Sequence, residues 1–301
     1  MKKTLIALAA VAATTVSFAQ VTIYGKVDLN LGKAIGATGS ATMQQASGSR
    51  LGFKGTEDLG GGLSANFQLE ERFLPDTGAF KDALAFNGTS VVGLSGGFGS
   101  VKFGRTYTAA FGTQASGDVF GWDGVAANVA STAAGVANVR FNNSIFYTSP
   151  SFSGFKVAAS VGVKEGSDLN AASSLQLSYA AGPLAASVGS EKSGSANKYT
   201  GFNVSYDLGM ARVVLNSGTG KPAAGGKIQG TTIGAVVPMG AVTLKASYGT
   251  KKVDSVVTVQ QTGLGMRYAL SKRTDLYANV ANDSKQTANK SGYEFGIQHN
   301  F

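Results

Sequence analysis

Reactive groups are scarce in this sequence. It has no cysteine and a single histidine, which removes thiolate nucleophiles, thiolate metal sites and paired-histidine metal sites. That histidine, His299, falls on the apolar parity of the last alternating run, and no serine and acid complete a nucleophile–base set with it. An interfacial role suits its amphipathic ring better. The sequence calls for no metal and no cofactor. What remains is fixed charge, placed with a period of two. Lys26 and Asp28 share a parity with Asn30. Arg50 and Lys54 alternate with Leu51 and Phe53, Glu70 and Arg72 with Leu69, Lys102 with Val101 and Phe103. Arg140 is out of phase with Ile145 and Tyr147. From Thr106 to Val139 there is no lysine or arginine, and the only charges are Asp118 and Asp123. Fixed charges of opposite sign facing each other across water sort ions and polar solutes without any reaction.

Such an arrangement needs strands to hold it, and past residue 20 strand periodicity dominates. Ile23, Val27, Leu29 and Leu31 oppose Thr22, Tyr24, Lys26, Asp28 and Asn30. The same alternation runs through Leu63–Leu69, Phe155–Val163 and Leu175–Tyr179, and on to Tyr293, Phe295, Ile297, His299 and Phe301. Connections are tight at Asp58-Leu59-Gly60-Gly61, Gly96-Gly97, Ala181-Gly182-Pro183, Asp207-Leu208-Gly209, Pro238-Met239-Gly240 and Ser271-Lys272, and long over 34–46, 73–88 and 106–139. Short turns at one end, long loops at the other and about sixteen strands imply an all-β, transmembrane antiparallel barrel, apolar outside and polar inside. Closure satisfies every backbone group, as hydrocarbon demands. A soluble β-sandwich also alternates, but its inner face would be apolar. Here that face is polar, and Tyr179, Tyr206, Tyr248 and Phe301 sit near strand ends, as a membrane girdle requires.

Composition agrees. There are 42 glycines, 5 prolines and 14% charged residues, the last against roughly 25% in soluble domains. Lys2 and Lys3 precede the short apolar run Leu5–Val16 and the small-residue pattern Ser17-Phe18-Ala19. That reads as an export signal over 1–19, cleaved after Ala19 to leave a barrel domain over 20–301. The net charge of +9 is spread along the chain, which argues against nucleic acid and for a positive lumen or contact with lipopolysaccharide phosphates.

Several segments carry a resemblance. Val21-Thr22-Ile23-Tyr24-Gly25-Lys26, Ser49-Arg50-Leu51-Gly52-Phe53-Lys54-Gly55-Thr56-Glu57-Asp58, Gly99-Ser100-Val101-Lys102-Phe103-Gly104-Arg105 and Gly292–Phe301 resemble, in this order, the general diffusion porins of Gram-negative bacteria, most closely the β-proteobacterial branch. The resemblance covers the whole mature chain. It implies a homotrimer of sixteen-stranded barrels in the outer membrane, each passing small hydrophilic solutes and inorganic ions through a water-filled channel; by parity and resemblance, the lumen cations Lys26, Arg50, Lys54, Arg72, Lys102, Arg105 and Arg140 outnumber Asp28, Glu70, Asp118 and Asp123, so an anion preference is expected. It also implies that Thr106–Val139 folds into the lumen as the third loop, carrying constriction acids, with Asp118 favoured over Asp123. Lys26, Arg50, Arg105 and Arg140 match the cations of the facing wall. Arg105 shares parity with Val101 and Phe103, so a bulge at Gly104 is needed to turn it inward. Phe301 resembles the terminal aromatic that the family's assembly machinery reads. Gly52, Gly55 and Gly93 are expected to let neighbouring barrels pack closely. A surface adhesin or a barrel-embedded hydrolase are the alternatives; the first would act through loops poor in the aromatics that drive hot spots, and the second lacks a nucleophile with a base.

Overall fold

The computed structural model describes residues 20–132, 138–165, 172–193, 197–222 and 225–301; the leader assigned to 1–19 lies outside them. Alternating β-branched, aromatic and hydroxyl residues extend the backbone into β1 (Thr22–Lys33), β2 (Thr42–Gln44), β3 (Arg50–Gly60), β4 (Leu63–Leu74), β5 (Ala79–Phe80), β6 (Ser90–Gly96), β7 (Gly99–Tyr107), β8 (Arg140–Thr148) and β9 (Phe155–Gly162). The second half holds β10 (Ala172–Ala181), β11 (Leu184–Ser193), β12 (Asn197–Asp207), β13 (Arg212–Lys221), β14 (Ile228–Met239), β15 (Val242–Val253), β16 (Val256–Ala269), β17 (Thr274–Asp283) and β18 (Ser291–Asn300). β2 and β5 are short additions within loops. The other sixteen pair antiparallel with their sequence neighbours, and β18 returns to β1 in the register Lys26↔Asn300 through Lys33↔Tyr293. The sheet is therefore a closed sixteen-stranded barrel.

The two faces separate as the alternation requires. Ile23, Leu51, Val92, Phe103, Val157, Leu177, Phe202, Ile233, Leu264, Val280 and Phe295 all face outward and are exposed. Much of what is buried is polar, including Asp28, Asn30, Glu70, Asn203, Asn216, Thr232, Glu191 and Glu294. This inverts a soluble domain because the lumen, not the exterior, holds the polar groups. Tight turns close one end, with Gly182, Gly209 and Gly240 at positive φ, where a side chain would be strained. At the other end not every connection is long: Asp254 and Ser255, both at positive φ, join β15 to β16 directly.

Phe301 seals the seam. Its backbone exchanges bonds with Gly25, N–H to O at 2.9 and 3.1 Å, and its ring lies over the same glycine, so that a Cβ there would overlap the ring. Gly52 and Gly93 do not serve an outer packing surface. A Cβ at Gly52 would strike the lumen-facing Tyr24 ring, and one at Gly93 would overlap the Val101 carbonyl oxygen, with the Asn66 and Lys102 side chains at 3.1 Å. Only Gly55 shares the outer face, against Phe67. Glycine at these positions makes room within one barrel.

Gly25→Val should therefore destabilise the seam by about 1–3 kcal/mol, the usual cost of overpacking. The yield of heat-modifiable folded barrel on gels should fall, as it should for Phe301→Asp, while any barrel that assembles keeps the wild-type unit conductance.

Candidate functional site

The described residues of the segment Thr106–Val139, which are 106–132 and 138–139, enter the barrel and lie along its inner wall. The sequence showed no helix here, yet the segment forms α1 (Ala109–Ala115) and α2 (Val129–Thr132). Helices this short are unstable alone, and the wall supplies their order. Thr108 caps α1, its side chain accepting from Phe111 N. The next two free amides, Ala109 N and Ala110 N, donate to Ser160 Oγ and Ser174 Oγ on β9 and β10 at 3.2 and 2.7 Å. Farther along, Val125 N donates to Glu294 Oε1 at 3.0 Å, Gln261 Nε2 donates to the Val125 and Ala127 carbonyls, and Asn128 Nδ2 donates to Ser247 Oγ at 2.7 Å. Asn138 returns the chain by donating to Glu191.

Wall glycines make this approach possible. A Cβ on Gly263 would stand 2.5 Å from the Ala126 carbonyl oxygen, on Gly292 2.5 Å from Val125, and on Gly234 2.7 Å from Val119. Each belongs to the lumen parity of its strand, so these glycines form a track for the loop. The loop's helices pack on β9–β15 and its later residues reach β16 and β18, which leaves the side of β1, β3, β4, β7 and β8 open.

Cations line that open side. Arg72 on β4 meets Glu70 twice, through Nε and Nη2, both at 2.8 Å. Arg50 on β3 stands 4.0 Å from the same carboxylate, and Tyr24 OH donates to it at 3.2 Å. One acid thus serves two guanidiniums and leaves net positive charge. Arg72 Nη2 also donates to Tyr107 OH at 3.2 Å, and the Arg140 guanidinium lies 4.0 Å above the Tyr107 ring. The opposite face of Tyr107 stacks on Phe111 at 4.7 Å, which meets Trp122 edge-on at 4.9 Å. Wall cations are thereby tied through aromatic rings to the inserted loop.

Arg105 follows the bulge. The β7–β8 register shifts between Gly104 and Thr106, with Gly104 at φ +125°. The Arg105 side chain then donates to the Asn87 carbonyl and the Asn142 amide oxygen, within electrostatic reach of Arg140. Lys26 Nζ donates to Ser47 Oγ at 2.7 Å. Lys54 lies over the Tyr24 ring, and Lys102 shares the polar cleft below it.

The acids divide differently from expectation. Asp118 is buried, 5% exposed, and accepts from Phe120 N and Trp122 N at 3.2 and 2.9 Å. Burial pushes its carboxyl up, opposed by these backbone donors. Asp118 thus shapes the loop and does not face the channel. Its spacing from the turn at Gly121 is that of a residue closing its own backbone. Asp123 instead lines a cleft with Asp28, Lys245, Arg267 and Ser47. Asp28 is likewise buried, holding Tyr277 OH at 2.7 Å and Ala46 N at 2.9 Å. Lys245 and Arg267, the latter bridged to Asp275 at 3.1 Å, went unremarked in the sequence. Both sit opposite in parity to Leu244, Met266 and Tyr268, so the same alternation would have found them. The loop anchors Glu191 and Glu294 carry no comparable signal, because their partners lie far along the chain.

Asp123→Asn should shift the reversal potential toward anions, whereas Asp118→Asn should lower folded yield or raise current noise with little change in selectivity. Gly263→Val should cost about 1–3 kcal/mol of loop docking and alter unit conductance in planar bilayers. The same change at Gly97, which has nothing within 4 Å, should leave conductance unchanged.

Some known proteins with this architecture are also similar to it in sequence. The family model for the Gram-negative porin matches residues 4–288. Outer membrane porin protein 32 of Delftia acidovorans is 33% identical over 99% of this chain and 93% of its own length. The major outer membrane protein P.IB of Neisseria meningitidis serogroup B is 32% identical over 60% of this chain and 54% of its own. Among solved structures, the anion-selective porin from Comamonas acidovorans superposes with a TM-score of 0.79 and 27% identity, covering 94% of this chain and all of that one. With a closed barrel, a loop-narrowed lumen and these relatives together, the chain belongs to the Gram-negative porin family of outer-membrane channels.

Proposed function

We propose that this porin is an anion-preferring diffusion channel for small hydrophilic solutes and ions, with no enzymatic activity of its own. The observation that carries the reading is the unequal fate of the charges. Lys26, Arg50, Arg72, Arg105, Arg140, Lys245 and Arg267 surround the aperture. Asp28 and Asp118 are buried, Glu70 and Asp275 are each held by arginine, and Asp123, half-buried, is the acid that the inserted loop sets beside Lys245 and Arg267. Low-dielectric walls focus such a field, so anions gain and apolar solutes lose. The similarity to a porin described as anion-selective supports the same sign.

Two assembly features complete the proposal. The chain works as a homotrimer after removal of residues 1–19, in contact with outer-membrane lipid and lipopolysaccharide. Residues 76–85, exposed throughout with Phe80 and Leu84 outward, offer an apolar latch to a neighbouring barrel beside β3, β4 and β6. An outer membrane protein of the same fold, OmpT of Vibrio cholerae, is described in a trimer form. Unheated gel samples should run near three times the monomer mass and collapse on boiling; a monomer by light scattering in mild detergent counts against the trimer.

In a KCl gradient the wild-type reversal potential should report anion preference. The preference should shrink with salt, as the Debye length falls from about 30 Å at 0.01 M to about 3 Å at 1 M. Neutralising Arg50 and Arg140 together should move the potential toward cations, and Glu70→Gln should move it further toward anions. A clear cation preference in the wild type overturns this reading of the aperture.

A further inference from the structure

Like charges directly opposite on neighbouring strands destabilise a sheet, yet the outer face of this barrel carries two such pairs in succession. Lys192 on β11 pairs with Lys198 on β12, and Lys198 pairs with Lys221 on β13. Lys227 follows at the foot of β14, one residue before the Ile228↔Gly220 pair, and Lys252 on β15 opposes Gln229. All five lysines are exposed. All share the parity of Val188, Phe202, Leu215 and Ile233, so they project from the outside of the barrel and not into the lumen. All lie at the end opposite the tight turns. With strands about 4.8 Å apart, the row spans about 19 Å around the rim. Among the described residues, the one carboxylate lining this concavity is Asp254, whose Oδ1 already accepts from Lys227 N at 2.8 Å.

What lies beneath the lysines narrows the partner. Two residues down, about 7 Å, the outward positions on β11, β12, β13 and β15 are the hydroxyls Ser190, Thr200, Thr219 and Thr250, with Gln229 on β14 and the hydroxyls Ser217 and Thr231 two residues further. Ser190 pairs with Thr200 and Ser217 with Thr231, with oxygen separations of 3.3 and 3.1 Å, and Thr219 and Thr250 continue the belt. Below them come the exposed Val188, Phe202, Leu215 and Ile233. A groove runs between these layers from Val188 and Phe202 to Lys252. From rim to belt the order is cation, hydroxyl, hydrocarbon. An amphiphile seated there would present phosphate, then sugar or ester oxygens, then acyl chains.

We propose that Lys192, Lys198, Lys221, Lys227 and Lys252 form a docking strip for the phosphorylated glycolipid of the outer leaflet. The strip deepens the lipopolysaccharide contact put forward above and rests on it. It is independent of the trimer latch, since β12 and β13 stand across the barrel from β3 and β4. A protein-supplied row of ammonium groups does the work that divalent cations otherwise do between lipid phosphates, so binding should survive chelation but weaken with salt. The repulsion built into the two lysine pairs is relieved when phosphates sit between them.

The test uses full-length protein extracted from outer membrane in mild detergent with EDTA, followed by mass spectrometry of bound lipid and titration with purified lipopolysaccharide. Lys192→Gln/Lys198→Gln/Lys221→Gln should lower affinity on the order of 100-fold, at about five-fold per lysine. It should leave unit conductance unchanged, because no changed group faces the lumen. Lys272→Gln/Arg273→Gln, at the opposite end, should retain the lipid. Dephosphorylated lipopolysaccharide should bind the wild type as weakly as native lipopolysaccharide binds the triple variant. Retention by the triple variant overturns the strip while leaving lipid contact in place. Absence of glycolipid from the wild type overturns both. If inorganic phosphate alone saturates the site at millimolar concentration, the assignment to lipid is overturned.

Discussion

Hydrocarbon offers the peptide group no hydrogen-bond partner, and every other feature of this barrel follows from that constraint. A sheet of sixteen strands has two edges, each a row of unpaired donors and acceptors. Joining β18 to β1 removes both. The joint pairs eight residues of β1 with eight of β18, from Lys26↔Asn300 to Lys33↔Tyr293. Gly25 and Phe301 meet there in a fit that admits no further atom. Once the cylinder is closed, side chains have only two destinations, and the period of two decides which residues meet lipid and which meet water.

A cylinder of this size is wider than a selective filter, and the chain narrows it with its own backbone. The inserted loop is a poor structure by itself, with two helices of seven and four residues. It is held because the wall presents serine, asparagine and glutamate acceptors and donors where its free amides and carbonyls fall, and glycine where its backbone must come close. The distribution of 42 glycines is thus partly a map of where one layer presses on another. The same need accounts for Gly52 and Gly93, which make space for lumen side chains inside one barrel.

Charge then acts within the remaining gap. Carboxylates near it are nearly all committed to other groups: Asp118 to its own loop, Asp28 to Tyr277 and Ala46, Glu294 to Val125, Glu70 to two arginines. Removing such a partner from a buried acid leaves an uncompensated charge, which is why these contacts persist as structure. The cations are less constrained. Arg140 rests on an aromatic ring and Lys26 on a hydroxyl, partners that hold position without cancelling charge.

The sequence by itself determined the barrel, the sidedness of its turns and loops, and the lumen parity of Lys26, Arg50, Lys54, Arg72, Lys102 and Arg140. Those follow from a local rule, the alternation of side chains along an extended backbone, which any short window contains. Applied to the last third of the chain, the same rule also contains Lys245 and Arg267. Only the tertiary structure decided what each charge does. Asp118 and Asp123 are five residues apart on one loop, where strand parity does not apply, yet one caps backbone amides and the other stands half-buried beside Lys245 and Arg267. Arg105 depended on a register shift at Gly104, and Glu191 and Glu294 on partners 53 and 169 residues away. Burial and pairing are set by contacts between distant segments, and a linear pattern carries no record of which carboxylate a folded loop turns inward.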